Sequence, residues 1–406
     1  MTDNKNTILA IALSALVLLG WQYFFAVPQE KARQEQLQSQ QQAQKQNAAT
    51  PTQPGQAPPT QAGPAQMPGQ ASAPAAATPI DRAAALAASP RVPIATGSVQ
   101  GSIALKGGRI DDLALVKFRE TVDQKSPPIV LLAPSGTADP FYAEFGWTGT
   151  AGTNVKLPTA DTVWKQSGSG ALSVSHPVTL TYDNGEGLEF RRTITVDDKY
   201  MFSIKDEVTN KGSSPVALYP YALISRHGTP QTAGYYILHE GLVGVLGESG
   251  LQEYTYKNIA EKKAVNFDVT NGWLGITDKY WAAVLVPDTT ARLKARFSTS
   301  MLGSVPTYQT DYLLDAQTIA PGATGSANAR LFAGAKEVTV VNEYGKQLEL
   351  NRFDLLIDWG WFYFITKPLF FAIDYLYRLV GNFGLAILIV TVLIKAAFFP
   401  LANKSY

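Results

Sequence analysis

The sequence predicts a membrane protein in which a large all-β domain lies between α-helical transmembrane and interfacial segments. Of 406 residues, 46% are hydrophobic and 17% charged, below the roughly 25% charged of an average soluble domain. Two long apolar runs stand at opposite ends of the chain, and the stretch between them is cut into short alternating runs by Gly, Asn, Asp and Pro. With 34 Lys+Arg against 33 Asp+Glu the net charge is +1, so no polycationic surface exists to hold nucleic acid through its phosphates. The absence of cysteine excludes disulfide frameworks, thiolate metal sites and a Cys nucleophile.

Residues 1–7 form a short polar start. Ile8 to Val27 follows with only Ser14, Gly20 and Gln22 breaking an apolar run; as a helix it is about 30 Å long, the thickness of a bilayer core. A cleaved signal peptide would have a shorter apolar core and small residues at its exit. Here Trp21, Tyr23, Phe24 and Phe25 crowd the exit, as interfacial aromatics of a retained anchor do. Lys5 on one side and Lys31 and Arg33 on the other leave orientation undecided by charge. Residues 28–92 contain 41 Gln, Pro and Ala in 65 positions and no aromatic, so this segment is expected to be a disordered tether.

Residues 93–333 read as the β-domain. Val178, Leu180 and Tyr182 alternate with polar residues, Asp183-Asn184-Gly185 supplies a turn, and Leu188, Phe190, Ile194 and Val196 continue beyond it, which is a hairpin pattern. Tyr200, Phe202, Ile204 and Val208 alternate next, with further strands expected at Leu274–Ile276, Trp281–Val286, Ala291–Phe297 and Thr307–Leu313. No sustained helical period interrupts them, which predicts a large antiparallel sandwich. A connecting helix is expected over 334–350.

Residues 351–380 are dense in aromatics, Trp359 and Trp361 among them, and Pro368 divides them. From Lys367 onward, Lys367, Asp374 and Arg378 fall on one stripe at 100° per residue, opposite Leu369, Ile373, Leu376 and Val380. That pattern predicts a helix lying in the membrane interface; a third span over Leu355–Ile373 is the competing reading. Residues 381–401 form the second span, whose run Phe383–Leu401 holds one charge, Lys395. Residues 402–406 begin the region beyond it.

Lys395 has the clearest physical case for function. A cation inside a span costs about 2.5–3.5 kcal/mol on insertion scales and usually faces a protein interior or a hydrated cavity. Thr391, one turn earlier on the same face, adds a hydroxyl. The alternative is that Lys395 snorkels to the nearby interface. His176, His227 and His239 each lie beside a turn and form no motif, so they are expected to be structural rather than a general acid–base set. Glycines 241, 244, 247 and 250 recur without a following Lys-Ser/Thr, so they mark a loop rather than a phosphate cradle. No catalytic residue, cofactor or metal is expected.

Three groups of residues resemble one family. Gly360-Trp361-Phe362-Tyr363-Phe364-Ile365-Thr366-Lys367-Pro368-Leu369, then Gly381-Asn382-Phe383-Gly384, then Ile394-Lys395 and Phe399-Pro400-Leu401 closely resemble the YidC-type bacterial membrane protein insertases. Gly20-Trp21-Gln22, Leu105-Lys106-Gly107-Gly108-Arg109-Ile110 and Gly272-Trp273-Leu274-Gly275-Ile276-Thr277-Asp278-Lys279-Tyr280-Trp281 are similar to that family's amino-terminal half. The resemblance implies a protein of the bacterial inner membrane with a cytoplasmic N-terminus. It further implies a periplasmic β-super-sandwich of mutarotase-like topology, an interfacial helix, and a hydrated groove to which Lys395 and Thr391 contribute. The implied activity is insertion, folding and assembly of nascent integral membrane proteins, alone or with the Sec translocon and its accessory subunits, in contact with membrane lipids and without covalent chemistry. Lys395 stands where the family's best-known members carry arginine, which replaces a five-donor fork by a point charge. The family has five core spans, and residue 406 follows the first, so the chain is expected to be its amino-terminal part. Two other functions compete: a tethered carbohydrate-binding or epimerase-like enzyme, and a passive envelope adaptor.

Overall fold

A computed structural model describes residues 79–150, 155–231, 238–360 and 362–405. The expected anchor at 8–27 and most of the tether lie outside the described residues. The chain divides into two compact units, Ala62–Tyr363 and a second that includes Phe364–Tyr406.

The first unit is a sandwich of two large antiparallel sheets, as the alternation predicted. The ten-stranded sheet runs in space from Arg91–Ala95 through Val99–Ala104, Arg109–Arg119, Phe141–Gly149, Val216–His227, Val305–Leu314 and Arg292–Leu302 to Ala264–Thr270, with Pro128–Leu132 and Gln317–Ile319 attached at its sides. The nine-stranded sheet runs from Leu251–Thr255 through Gly241–Leu246, Gly272–Thr277, Trp281–Pro287, Thr324–Ala335, Met201–Asn210, Leu188–Val196 and Val178–Asp183 to Lys165–Ser167. The expected hairpin forms in register, Val178 opposite Ile194 and Asp183 opposite Glu189. Its turn is closed by Asn184 Oδ1, which accepts from the amides of Glu186 and Leu188 at 2.8 and 2.9 Å. Every inward residue named for these strands except half-buried Tyr182 is buried.

One charged side chain ties the sheets together. Arg192 is 1% exposed. It lies opposite Asp206 on the neighbouring strand, donating to its carboxylate through Nε at 2.7 Å and Nη2 at 2.8 Å. The same guanidinium crosses to the other sheet, where Nη1 donates to the Gly108 carbonyl at 2.9 Å and Nη2 to that of Phe145 at 2.5 Å. Trp164 covers it, with the guanidinium carbon 5.0 Å from the ring centre. Gly108, at φ +61°, has no room for a side chain: a Cβ there would lie 2.9 Å from Arg192 Nη1.

Three helices decorate the sandwich. Helix α1 (Arg82–Ala87) corrects the extent of the tether, because it lies within the residues 28–92 expected to be disordered. Alanine counted as linker composition is also the strongest helix former. Asp81 caps the helix through the Ala83 amide at 2.9 Å, Arg82 pairs with Asp112, and the Ile80 amide donates to the Gly136 carbonyl at 2.9 Å. Helix α2 (Tyr256–Lys262) is too short to show a period in sequence; Thr255 caps it, and Tyr256 and Ile259 bury one side. Helix α3 (Val338–Gln347) is the expected connecting helix, shorter than 334–350. It buries Val340, Val341 and Tyr344, and the Tyr344 hydroxyl donates to Asp197 Oδ2 at 2.6 Å while accepting from the Tyr200 amide at 3.0 Å.

Residues 351–360 do not begin the interfacial helix, contrary to expectation. Phe353 and Leu356, whose spacing fits a helix, sit in a short 3₁₀ turn and point into the sandwich core. Phe353 packs edge-on against Trp273 at 5.4 Å and Phe332 at 5.8 Å, and Trp273 Nε1 donates to the Asn351 carbonyl at 2.9 Å.

Two outcomes follow for the sandwich. A fragment covering residues 79–358 should unfold cooperatively in urea, and one covering 91–350, lacking Phe353 and Leu356, should lose at least about 3–5 kcal/mol, the usual cost of deleting a buried aromatic. Arg192→Met in the longer fragment should cost about 3–5 kcal/mol, because it strands the Asp206 carboxylate in the core; adding Asp206→Asn should recover part of that loss.

Candidate functional site

Helix α4 (Tyr363–Val380) carries the amphipathic pattern predicted for an interfacial helix. Arg378 closes an i,i+4 ion pair, its Nε and Nη2 each 2.9 Å from Asp374 Oδ2. Lys367 lies on the same stripe two turns earlier. Leu369, Ile373, Leu376 and Val380 are half-buried across the helix, while Phe370, Phe371, Tyr375 and Tyr377 stand exposed. Pro368 does not divide the segment: the helix runs through it. So near the start, the missing N–H removes one backbone bond, to the Phe364 carbonyl. Trp359 precedes the helix and belongs to the sandwich unit, half-buried, with Nε1 donating to the Asp354 carbonyl at 3.1 Å. Trp361 lies outside the described residues.

The joint to the next helix is two residues long. Gly381 stops α4 in the left-handed conformation at φ +73°, its amide donating to the Tyr377 carbonyl at 2.7 Å. Asn382 opens helix α5 (Phe383–Ser405): its side-chain Oδ1 accepts from the Leu385 amide at 3.1 Å and its carbonyl from the Ala386 amide at 3.0 Å.

Among the described residues α5 is the one helix long and apolar enough to cross a membrane, with mean hydropathy 2.2 over Phe383–Pro400. Ala386 and Val390, one turn apart, are buried. Thr391 and Lys395 form the next i,i+4 pair, rotated well over 90° around the helix, and both are exposed. Thr391 Oγ1 donates to the Ile387 carbonyl at 2.8 Å, so its donor is satisfied inside the helix and its lone pairs face outward. Lys395 makes no hydrogen bond or ion pair among the described residues. The two residues singled out in the sequence therefore share one open face, and that face presents a cation.

The three histidines do not converge. His176 is exposed, 3.1 Å from the Ser169 carbonyl. His227 lies beside Tyr142, and burial with repulsion from Arg109 lowers its pKa to about 4, so it stays neutral near pH 7. His239 bonds to the Leu242 carbonyl at 3.0 Å. Among the described residues no group of His, Asp and Glu is placed to hold a metal. Sequence reasoning missed the cluster where the chain leaves the sandwich. Asp358 accepts from the His239 amide at 2.8 Å and the Gly360 amide at 2.9 Å. Nearby, Lys336 Nζ donates to Thr277 Oγ1 at 2.9 Å; burial lowers its pKa to about 8, against the pull of Asp278, Asp358, Glu240 and Glu253. No local motif announces contacts between residues so far apart in sequence.

Residues 91–372 match the family model described as the YidC periplasmic domain. The whole chain is 61% identical to the membrane protein insertase YidC of Bradyrhizobium diazoefficiens, covering 67% of that protein. It is 61% identical to that of Nitrobacter hamburgensis, covering 66%, and 48% identical to that of Brucella suis biovar 1, covering 67%. The chain thus spans about two thirds of the length of the curated relatives it matches. Among solved structures, a galactose mutarotase related enzyme from Lactobacillus acidophilus matches with a TM-score of 0.44 at 10% identity, over 60% of this chain and 97% of that one. Nothing of that enzyme's chemistry carries over at this degree of similarity. Sequence identity over its full length and the match across its sandwich place the chain in the YidC family of membrane protein insertases.

Proposed function

We propose that this chain supplies the periplasmic sandwich, the interfacial helix and the first core span of an inner-membrane insertase for nascent integral membrane proteins, working alone or with the Sec translocon. The observation that carries this reading is the open face of α5, where Lys395 and Thr391 stand together on an otherwise apolar span. Moving a polar flank of a substrate into hydrocarbon costs several kcal/mol per unsatisfied group. A hydrated face within the bilayer lowers that cost, after which the substrate's own apolar helix partitions into lipid. The cation favours acidic flanks, because the low dielectric there strengthens its attraction. No covalent step and no cofactor enter this mechanism. A face on one helix encloses nothing by itself, so the groove is completed by other spans of the assembled protein.

The polar stripe of α4 supports the interfacial placement, since an ion pair and a lysine along one side suit headgroups rather than hydrocarbon. With the sandwich in the periplasm, both ends of the chain are cytoplasmic. Reporter fusions after Val92 and after Tyr406 should therefore report opposite sides of the inner membrane; the same side for both would overturn this topology.

Lys395 is tested in cells depleted of the native protein, with substrates of graded flank charge and hydrophobicity. Lys395→Arg should preserve insertion, and Lys395→Ala should reduce it about tenfold for acidic flanks, if the charge contributes about 1.4 kcal/mol. Equal insertion by lysine and alanine forms across the series would show that Lys395 only snorkels to the interface, while leaving the family assignment untouched.

A further inference from the structure

Near its Ala264–Thr270 edge, the ten-stranded sheet buries charge on the side away from the core. Leu293, Ala295 and Phe297 point into the sandwich and are buried. Arg296, Ser298 and Ser300 alternate with them and face outward. Outward residues belong in water, yet the Arg296 side chain is 4% exposed and that of its cross-strand partner Asp311 is 1%. Ser298 stands opposite Gln309, and Ser300 opposite Thr307, so three polar pairs form a ladder. At its closed end Arg296 Nη2 and Gln309 Nε2 donate to Asp311 Oδ2 at 2.8 and 2.7 Å. At its open end the Ser300 and Thr307 hydroxyls are 2.6 Å apart.

Over this ladder lies a cavity of about 140 Å³, with Lys263 at its rim. Lys263 is fixed by its own backbone: it caps α2 with its amide on the Ile259 carbonyl at 2.8 Å, and its carbonyl accepts from the Thr299 amide at 2.9 Å. Its φ is positive, +67°, with ψ −52°, a backbone conformation that a lysine adopts only at a cost.

We propose that this cavity binds a phosphate-type oxyanion. Among the described residues no carboxylate lines it, and Asp311 beneath is engaged by Arg296 and Gln309. The Lys263 ammonium and the Ser298 hydroxyl make no hydrogen bond or ion pair among the described residues, so both are available to a ligand. An ammonium and a hydroxyl facing a small cavity are donors of the kind that an acceptor-only anion needs. Among the described residues no aromatic ring lines the cavity to give a sugar a stacking platform. The oxyanion is either free phosphate or the phosphodiester of a lipid headgroup; both present the same oxygens to the same donors.

The test uses the full chain in a phosphate-free maltoside, titrated calorimetrically with inorganic phosphate and with glycerol phosphate. Saturable binding is expected, weakened about tenfold by Lys263→Gln and by Ser298→Ala, as loss of one charge-assisted or one hydroxyl contact predicts. Both positions lie outside the core, so thermal unfolding of the unliganded variants should match the parent. The titration is repeated in nanodiscs of phosphatidylglycerol and of a phosphate-free galactolipid. Binding of added phosphate lost only in phosphatidylglycerol supports a headgroup occupant, and binding retained in both supports free phosphate. No saturable binding in maltoside, binding unchanged by both substitutions, or equal binding of acetate would overturn the proposal.

Discussion

The sandwich depends on a charge buried where the two sheets meet. Arg192 gives both ends of its fork to Asp206 on its own sheet and reaches the Gly108 and Phe145 carbonyls on the other. Hydrophobic burial drives the sheets together without fixing their relative register, since apolar contact has no direction. Hydrogen bonds from a planar cation do have direction. An apolar residue of similar size would fill the space at lower desolvation cost, but it would take the guanidinium from the Gly108 and Phe145 carbonyls. Gly108 is required by the same arrangement, as a Cβ there would strike both Arg192 and Trp164.

From that fixed frame the chain is led out by aromatic packing rather than by charge. Tyr344 on α3 bonds to Asp197 and Tyr200, and Phe353 enters the core between Trp273 and Phe332. The exit segment is thus part of the domain core, and at Asp358 it accepts from the amides of His239 and Gly360. Lys336 beside it is a cation in a position that disfavours its charge.

How far the sequence revealed this depended on the range of the interaction. Alternation from Val178 to Val208 is local, and the strands form where it falls. Lys395 was legible because one charge in an apolar run is conspicuous anywhere. Residues 351–360 misled, because they read as part of the aromatic-rich helix that follows, whereas Phe353 and Leu356 sit in a 3₁₀ turn on the core. Alanines 83–85 misled in the opposite sense: they look like linker until Asp81 caps them and Arg82 finds Asp112, thirty residues away. The motifs that carried the family resemblance have structural causes here. Gly107 and Gly108 are left-handed, and a Cβ on Gly275 would come within 2.2 Å of the Ala283 carbonyl oxygen. Nothing in the sequence pointed to Arg192, because its partners are scattered over nearly a hundred positions.

The joint between α4 and α5 has a mechanical consequence. Gly381 and Asn382 are both committed, one to ending a helix and one to starting the next, and no slack residue separates them. The two helices therefore behave as an elbow rather than as independent rods. On the proposed placement, with α4 in the interface and α5 across the bilayer, a span that tilts to suit a thinner bilayer turns the elbow, and the depth of Lys395 changes with it. On that placement, lipid thickness is a variable that adjusts where the cation sits relative to the headgroups, so that the same sequence would present its charge at different depths in membranes of different composition.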